Sequence, residues 1–292
     1  MQVGICAIVR DEATYVEEWV AFHRAQGVGI FQIYDNGSVD GTPDVLRRVG
    51  LEPIIWAGRP ADFDTQQRAA YLEAAHMLAG RAEWLAFIDI DEFLFGRGMP
   101  LTAALAGFAG GVGAIAVQQV MFGSGGQRTR LPGPVTQRFT RCAPRDHGEN
   151  RWFKTVARPE WVAGFESVHS VMLSEGTYVM PDGSPLERGA QSGEAVRRVE
   201  GRLGLHHYAL KSLEEFRAKQ AKWSDRLAAA RMSDGYFFGR DGHCSLEECR
   251  ELADLPLPQA GTARQEALPV APAPAGGTAP PLPPYLVPIF RS

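Results

Sequence analysis

The chain has 292 residues, a formal net charge of −4, and 45% hydrophobic residues. These values predict a soluble globular protein with one large α/β domain. The slightly acidic balance excludes the basic surface that nucleic-acid binding depends on. No apolar run reaches the length of a membrane span, and no signal peptide precedes the first strand-like segment, so we expect a cytoplasmic protein without a transmembrane segment.

Strand-like and helix-like segments alternate over the first 95 residues. Apolar runs at 3–9, 30–34, 52–57 and 83–90 predict strands, and periodic or capped segments at 14–27, 43–50 and 65–80 predict helices. This alternation predicts a parallel sheet, whose ligands bind beyond the carboxyl ends of the strands. The mostly apolar fourth run indicates a central strand that is covered on both faces.

Capping signals predict where three helices begin. Thr14 and Glu17 fit a capping box at the first helix, and Thr42 fits an N-cap at the second. Ser212 and Glu215 fit another capping box at the start of a late helix. Gly27 follows the first helix and fits its C-terminal end.

The middle and the end of the chain differ from this pattern. Short strand-like runs at 114–126, 135–139, 153–159, 167–173 and 204–210 predict mixed or antiparallel additions to the sheet. Residues 255–292 are rich in Pro, Ala and Gly, which predicts an extended or disordered tail after a domain of residues 1–254. The cysteines are scattered, with no CxxC pair, so we expect reduced thiols without a zinc or redox role: Cys6, Cys142, Cys244 and Cys249.

Three carboxylates follow the fourth apolar run in the sequence LAFIDIDEFLF, at Asp89, Asp91 and Glu92. Buried charges are costly unless a partner compensates them. In a strand, residues 89 and 91 point to the same face. Two carboxylates there can share Mg²⁺ or Mn²⁺, ions that prefer oxygen ligands. We therefore expect a metal ion that carries a nucleotide diphosphate.

Two other interpretations of this motif stay open. The acids can form a solvated surface turn, or Asp89 can be the nucleophile of a haloacid-dehalogenase-type phosphatase. Those phosphatases usually place the motif on their first strand, whereas here it follows the fourth. A second signal, YDNGSVDG, puts Asp35 on a Gly-containing turn, where it can accept a hydrogen bond from a base or ribose of a nucleotide.

Three ordered blocks carry a family resemblance. ICAIVRDEATYVEEWVAFHRAQGV with FQIYDNGSVDGT, then WLAFIDIDEFLF, then HHYALKSLEEFRAKQAKW resemble GT-A glycosyltransferases of the family-2-like group, near family 92. The resemblance spans roughly residues 3 to 225. It implies a Rossmann-like single domain with a mixed central sheet and a metal-binding Asp-x-Asp motif. It also implies a UDP- or GDP-sugar donor and a glycan or other hydroxyl acceptor. We further expect a bacterial enzyme of polysaccharide biosynthesis, either free in the cytoplasm or peripheral to the inner membrane.

The resemblance assigns roles to residues in this sequence. Asp89 contacts ribose or sugar, and Asp91 is the main metal ligand for Mn²⁺ or Mg²⁺. A late histidine completes the metal site, with His169 and His207 as the candidates. The remaining donor-site candidates are Asp35 facing the base, Arg10 and Glu12 lining the nucleotide pocket, Asp40 and Arg68 in support, Lys154 for the diphosphate, and Arg138 and Arg141 as weaker cations.

The resembled enzymes invert the anomeric configuration, which requires a general base for the acceptor hydroxyl. Glu166 and Asp146 are the candidates for this base. The glycine-containing segment 121–126 is the candidate for the acceptor pocket. A catalytically inactive nucleotide-sugar or glycan-binding protein on the same scaffold stays the principal alternative.

Overall fold

A computed structural model describes residues 1–57, 62–108, 110–222 and 233–255 of the chain. Its helices are α1 (Val16–Ala25), α2 (Thr42–Arg48), α3 (Phe63–Leu78), α4 (Leu101–Ala106), α5 (Val135–Arg138), α6 (Leu213–Ala221) and α7 (Asp234–Cys244). Among the helices in these ranges, none is both long and apolar enough to cross a membrane.

The strands are short, and most of them belong to one sheet. They are β1 (Val3–Val9), β2 (Ile30–Asp35), β3 (Ile54–Ile55), β4 (Trp84–Phe87), β5 (Glu92–Gly96), β6 (Val112–Met121), β7 (Arg141–Cys142), β8 (Phe153–Ala157), β9 (Val162–Phe165), β10 (Val171–Leu173), β11 (Thr177–Val179), β12 (Leu203–His207) and β13 (Glu247–Glu248). The main sheet has the order β3-β2-β1-β4-β8-β6-β12-β5, and β11 also pairs with β6.

The two halves of this sheet have different strand directions. β3, β2, β1 and β4 are parallel and form the Rossmann-like half. β8 runs antiparallel to both β4 and β6, whereas β12 is parallel to β6 and antiparallel to β5. The predicted α/β fold with a mixed central sheet is confirmed.

Apolar clusters cover both faces of the parallel half. Trp84 and Ala86 belong to the cluster that α1 and α2 cover, and Leu85 and Phe87 belong to the cluster that α3 covers. All four side chains are fully buried. Alternate side chains of β4 therefore enter the two clusters, as the period of a strand requires. The prediction that the fourth strand is central is confirmed.

Two of the three predicted helix caps are wrong. α1 begins after Tyr15 without a side-chain cap, so Thr14 and Glu17 form no capping box. Thr42 is the first residue of α2 and follows Gly41, and its Oγ1 accepts instead from the backbone N–H of Glu12 at 2.7 Å. The capping box of Ser212 and Glu215 is confirmed. Gly27, at φ +88°, ends α1 as predicted.

Several predicted strands have other bounds or another structure. β4 ends at Phe87, so Asp89 and Asp91 lie in a turn before β5, and β5 was not predicted. Residues 135–139 form the helical turn α5, because Glu18 accepts from the N–H groups of Val135 and Thr136 at its N-terminus. The predicted late helix beyond residue 222 and the predicted tail beyond residue 255 lie outside the described residues.

Candidate functional site

The carboxyl ends of β1, β2 and β4 meet at one edge of the sheet. Val9 pairs with Asp35, and Cys6 pairs with Phe87, so Asp89 follows at the same edge. Antiparallel β8 pairs Thr155 with Phe87 and thereby brings the preceding residue, Lys154, to that edge. On the other side, β12 pairs His207 with Glu92 at the start of β5. The topology therefore gathers carboxylates, a lysine and a histidine around residues 88–92.

Asp89 has cationic and polar partners on both of its carboxylate oxygens. Its Oδ2 accepts from Lys154 Nζ at 2.7 Å, and its Oδ1 accepts from Gln67 Nε2 at 2.8 Å. Tyr71 lies 3.4 Å from the same Oδ1. Although burial alone raises the pKa of Asp89, the Lys154 ammonium lowers it below the ordinary value. The carboxylate is therefore ionised and fixed in orientation.

Asp91 has a different pair of partners. Lys219 Nζ, on α6, donates to its Oδ2 at 2.6 Å, and His207 Nε2 lies 3.4 Å from its Oδ1. Burial opposes ionisation, but Lys219 and then His207 hold the pKa of Asp91 well below its usual range. Its backbone carbonyl also accepts from the N–H of Tyr208 at 2.8 Å, which ties the turn to the end of β12.

The ring of His207 is oriented by a glutamine. Gln119 Nε2 donates to the carbonyl of Glu149 at 2.7 Å, so the Gln119 Oε1 faces His207 Nδ1, also at 2.7 Å. An oxygen there requires His207 to carry a proton on Nδ1. In the neutral ring, the lone pair of Nε2 then points at a carboxylate oxygen of Asp91 across 3.4 Å. Two lone pairs repel each other, so this geometry favours either a proton on Nε2 or a metal ion between the two atoms.

Glu92, the third carboxylate, has a supporting position. Its side chain is fully buried, and its Oε2 accepts from the backbone N–H of Asp89 at 2.8 Å. Lys154 Nζ lies 3.5 Å from the same oxygen. Burial raises the pKa of Glu92 to about 7. Glu92 therefore shapes the turn that presents Asp89 and Asp91.

The predicted metal site is only partly assembled. The argument from strand periodicity is wrong, because β4 ends before Asp89 and the two aspartates point to different partners. In the described ranges, Asp89 and Asp91 do not belong to a group of three donor residues whose ligand atoms all lie within 4.8 Å of one another. Asp91 and His207 fit a divalent ion as adjacent ligands, and Asp89 stands beside them with Lys154.

A cleft of about 290 Å³ adjoins Asp91. Its walls come from the segment after β1, from α6, and from the loop before α6, and four cations lie along it: Arg130, Lys211, Lys219 and Lys222. Lys211 Nζ lies 4.7 Å from the centre of the Tyr15 ring, and Lys222 donates to the carbonyl of Asp11. We call this feature the lysine cleft. Its lining also includes carboxylates, and Lys219 connects it to Asp91. These acids are Asp11, Glu12, Asp40, Glu214 and Glu215.

The predicted nucleotide-pocket residues lie at the same edge of the sheet. Arg10 is exposed at the end of β1, and Glu12 is buried in the wall of the lysine cleft. Burial raises the pKa of Glu12, and Lys222 Nζ is 3.5 Å from its Oε1. Asp35 is buried and accepts from the N–H of Ser38 at 3.3 Å. Asp35 therefore closes its own turn, and its contact with a base stays a prediction.

The two supporting candidates have structural partners. Asp40 accepts from the N–H groups of Ala13 and Thr42, both at 3.0 Å, and thereby joins two loops. Arg68 pairs with Asp64, one turn earlier on α3, at 2.9 Å. The Asp40 carboxylate therefore stabilises the contact between two loops. Arg68 forms an ordinary i,i+4 ion pair on the surface of a helix.

The two histidine candidates are not equivalent. His169 follows β9, contacts the Trp152 ring at a centroid distance of 5.4 Å, and has its Nδ1 3.1 Å from the carbonyl of Phe153. Burial, and then Lys154, lower the pKa of His169 to about 3, so its ring is neutral. His207 is the histidine that the structure places beside Asp91.

The candidates for the base and for further cations have other partners. Glu166 is exposed and pairs with Arg188 at 2.6 Å, and Asp146 is exposed before a turn. Arg138 pairs with Glu215 at 2.7 Å, and Arg141 donates to the carbonyls of residues 245 and 246. In segment 121–126, Ser124 Oγ donates to Asp241 at 2.7 Å, so this part packs against α7, and its role in an acceptor pocket stays a prediction.

Sequence reasoning missed the partner of Asp91, which is Lys219. A signal was present, because Lys211, Lys219 and Lys222 all fall within the block HHYALKSLEEFRAKQAKW. Lys219 and Lys222 are three positions apart and share one side of α6, whereas Lys211 precedes the helix. Lysines are common on solvated helix faces, however, and only the tertiary fold shows that this face lies against the carboxylates.

Comparisons with known proteins agree with the resemblance. Residues 2–104 match glycosyltransferase family 92, and this range includes both Asp89 and Asp91. This region of the chain is therefore similar to glycosyltransferase family 92. A family 92 protein from Oryza sativa subsp. japonica is 28% identical over 237 residues, which cover 77% of this chain and 35% of the rice protein. One from Arabidopsis thaliana is 24% identical and covers 75% of this chain and 37% of its own length.

The chain spans about a third of the length of these curated family 92 relatives. Among solved structures, it is similar to glucosyl-3-phosphoglycerate synthase from Mycobacterium tuberculosis in complex with Mn²⁺ and UDP-glucose, at a TM-score of 0.30, 16% identity, and coverage of 41% of this chain and 43% of that one. It is also similar to a mannosyltransferase from Pyrobaculum calidifontis in complex with GDP-mannose and Mn²⁺. The TM-score is 0.31 and the identity 20%, and the match covers 40% of this chain and 35% of that one.

Proposed function

We propose that this protein is a metal-dependent glycosyltransferase of the GT-A type, which moves a sugar from a nucleoside diphosphate to a hydroxyl acceptor. One observation carries the proposal. His207 Nε2 lies 3.4 Å from Asp91 Oδ1, in a ring that Gln119 orients, and Lys219 joins Asp91 to the lysine cleft. The family 92 match over the carboxylate turn supports the same activity.

Asp91 and His207 are the residues that hold the ion in this proposal. Carboxylate oxygen and imidazole nitrogen suit Mn²⁺, and Mg²⁺ shares the preference for carboxylate oxygen. When bound, the ion supplies a positive charge that stabilises the departing diphosphate. His207 presents its lone pair because the Gln119 side chain fixes its tautomer, and this is how an outer residue orients a ligand.

The lysine cleft binds the diphosphate in this proposal. Lys219 contacts Asp91 and also lines the cleft, so it can neutralise the carboxylate in the free protein and a phosphate oxygen in the complex. Lys211 lies in the same wall. Lys154 was our sequence candidate for this role, but its side chain is almost fully buried against Asp89. Lys154 therefore acts through Asp89, which it holds ready to accept from a hydroxyl of the donor.

Inversion at the anomeric carbon is part of the proposal and rests on the family resemblance. It requires a base on the acceptor side. Glu166 stays our prediction for that base, although its pairing with Arg188 argues against a free carboxylate in the absence of acceptor. A cytoplasmic location, with action on polysaccharide precursors, stays a prediction from the sequence.

Calorimetry with Mn²⁺ and either UDP or GDP tests the metal and nucleotide parts of the proposal. Wild type is expected to bind one nucleotide tightly only when Mn²⁺ is present. Asp91→Asn and His207→Gln are expected to lose the Mn²⁺ dependence. The matched control is His76→Gln, because His76 is exposed on α3. Nucleotide binding that is the same with and without metal in all four proteins contradicts the proposal.

Turnover separates an enzyme from a binding protein. A transferase on this scaffold is expected to hydrolyse its nucleotide-sugar donor slowly with Mn²⁺ when no acceptor is present. Metal-dependent binding without any hydrolysis or transfer across a panel of acceptors favours the non-catalytic alternative. Release of phosphate from simple phosphate esters that stops in Asp89→Asn favours the phosphatase alternative.

A further inference from the structure

A second group of metal-binding side chains lies on β12 and the segment after β13. His206 Nε2, Cys249 Sγ and a carboxylate oxygen of Glu251 all lie within 4.8 Å of one another. His206 is the residue before His207, and neighbouring side chains of a strand point to opposite faces. The group is therefore on the other face of the sheet from the Asp91–His207 pair. The donor-site proposal does not use any of its residues.

The distances within this group resemble those of a tetrahedral metal site. The Cys249 sulfur is 3.8 Å from His206 Nε2, and Glu251 Oε2 is 3.6 Å from the same nitrogen. A zinc ion with Zn–S of about 2.3 Å and Zn–N or Zn–O of about 2.0–2.1 Å holds such donors about 3.4–3.6 Å apart. The contact between His206 Nε2 and Glu251 Oε2 is too long for an ordinary hydrogen bond from a ring nitrogen to oxygen. The third distance, from the Cys249 sulfur to the Glu251 carboxylate, is within 4.8 Å, so the three donors close around an ion when it binds.

The surroundings orient two of the three donors. His206 is fully buried, and its Nδ1 lies 3.3 Å from the hydroxyl of Tyr208, which leaves Nε2 directed at Cys249 and Glu251. Arg97 donates to both oxygens of Glu251, at 2.8 and 2.7 Å. A hydrogen bond to the far nitrogen of a histidine, and one to a ligating carboxylate, are the usual outer contacts of metal sites.

We propose that His206, Cys249 and Glu251 bind a Zn²⁺ ion. One thiolate, one imidazole and one carboxylate form a donor set that suits zinc and does not suit Mg²⁺ or Ca²⁺. Water takes the fourth position, because Cys142 contacts the Cys249 thiol but does not belong to the group of three. The ion joins β12, which carries His207, to the segment around residues 249–251. This replaces our expectation from the sequence that the cysteines have no metal role.

Metal content and Co²⁺ spectroscopy test this proposal on the full chain. Protein purified with stoichiometric Zn²⁺ and then dialysed is expected to retain one zinc ion per chain. With Co²⁺ in place of zinc, we expect a thiolate-to-metal absorption band and the intense visible bands of a four-coordinate ion. Chelation of the metal is expected to lower the melting temperature. Absence of both retained zinc and the thiolate band overturns the proposal.

Variants distinguish this site from the donor site and from a disulfide. Cys249→Ser is expected to lose the thiolate band, and Glu251→Gln is expected to weaken zinc binding at least about tenfold. The control for Glu251 is Glu247→Gln, because Glu247 is exposed on neighbouring β13. Asp91→Asn is expected to keep its zinc. Cys142→Ser keeps zinc under this proposal, whereas a zinc-free protein with a Cys142–Cys249 disulfide in its mass spectrum overturns it.

Discussion

Each aspartate of the turn has its own lysine. Lys154 lies 2.7 Å from Asp89, and Lys219 lies 2.6 Å from Asp91. Burial of a carboxylate is tolerated only when a partner compensates its charge. The partners that the structure shows for these acids are therefore side chains of the chain itself. In the proposed function, an ion joins this arrangement at Asp91 and His207.

Replacement of Lys154 tests how strongly the turn depends on its lysine. Lys154→Met leaves the fully buried Glu92 and the half-buried Asp89 without their cation, so we expect a loss of about 3 kcal/mol in the free energy of unfolding. Lys219→Met is the matched comparison, because Lys219 is 28% exposed and Asp91 keeps His207. It is expected to cost about 1 kcal/mol. Urea denaturation measures the free energy of unfolding of both variants. If the two variants lose the same amount, burial of the lysine does not determine its contribution.

Gln119 offers a test of the histidine tautomer. In Gln119→Leu, the Nδ1 of His207 loses its acceptor, so we expect Mn²⁺ affinity to fall about tenfold with a small change in stability. Gln118 is the matched control, because it is the neighbouring buried residue on β6 and accepts instead from the N–H of Val199 at 2.7 Å. Gln118→Leu is expected to lower stability and leave Mn²⁺ affinity unchanged. Calorimetric titration with Mn²⁺ shows whether the two variants differ.

At the residue scale, the sequence supports some assignments and not others. Asp89, Asp91, His207 and Lys154 are brought together, because each lies near a strand end and the strand ends of an α/β sheet share an edge. Glu166 pairs with Arg188, and segment 121–126 begins beside His207 but continues toward Asp241. Their roles stay predictions, because the assignment used residue type and glycine content without any pairing between strands. A local sequence pattern contains no information about which distant strands pair with each other.

At the scale of elements, the N-terminal cap of helix α6 fixes the helix that forms one wall of the lysine cleft. Ser212 Oγ and the Glu215 carboxylate form the predicted capping box, and Arg138 holds the same carboxylate at 2.7 Å. Although burial opposes it, Arg138 and Ser212 lower the pKa of Glu215 to about 2. α6 is therefore anchored at its first turn, and Lys219 lies about one turn beyond Glu215.

The shifted pKa of Glu215 predicts an acid dependence of stability. The folded-state pKa is below the unfolded-state value, so this contribution is present above pH 4.5 and is lost as the pH falls toward 2. Its full size is about 3 kcal/mol. Glu215→Gln is expected to be less stable at pH 7 and to lose less stability between pH 4.5 and 2. Glu214→Gln, an exposed neighbour, is the control. Parallel urea-stability curves for wild type and Glu215→Gln contradict this prediction.

The two predicted capping boxes show why sequence signals for elements succeed or fail. Ser212 and Glu215 bond to each other within one turn, so their motif needs no outside partner. At α1, the backbone N–H groups of Tyr15 and Val16 are already satisfied by the carbonyl of Glu12. A competing backbone partner of this kind is invisible in a residue pattern. The same holds for α5, whose N-terminus is capped by Glu18 from a distant part of the chain.

At the scale of the whole molecule, β12 links the two proposed metal sites. His207 faces Asp91 on one side of the sheet, and His206 faces Cys249 and Glu251 on the other. The antiparallel β5 holds the same strand along its length, from Leu203 to His207. The position of His207 therefore depends on contacts on both faces, and the segment around residues 247–252 belongs to the support of the site.

Truncation tests which part of the C-terminal region the fold requires. A chain of residues 1–255 keeps Leu252, which is 3% exposed in the main core, and keeps the Glu251–Arg97 pair at 2.7 Å. Because the composition beyond residue 255 predicts little apolar burial, its melting temperature is expected within about 1 °C of wild type. A chain of residues 1–246 lacks both contacts and is expected to melt at least about 4 °C lower. A large loss in the 1–255 protein contradicts the predicted domain boundary, since it means that residues 256–292 contribute to the folded domain.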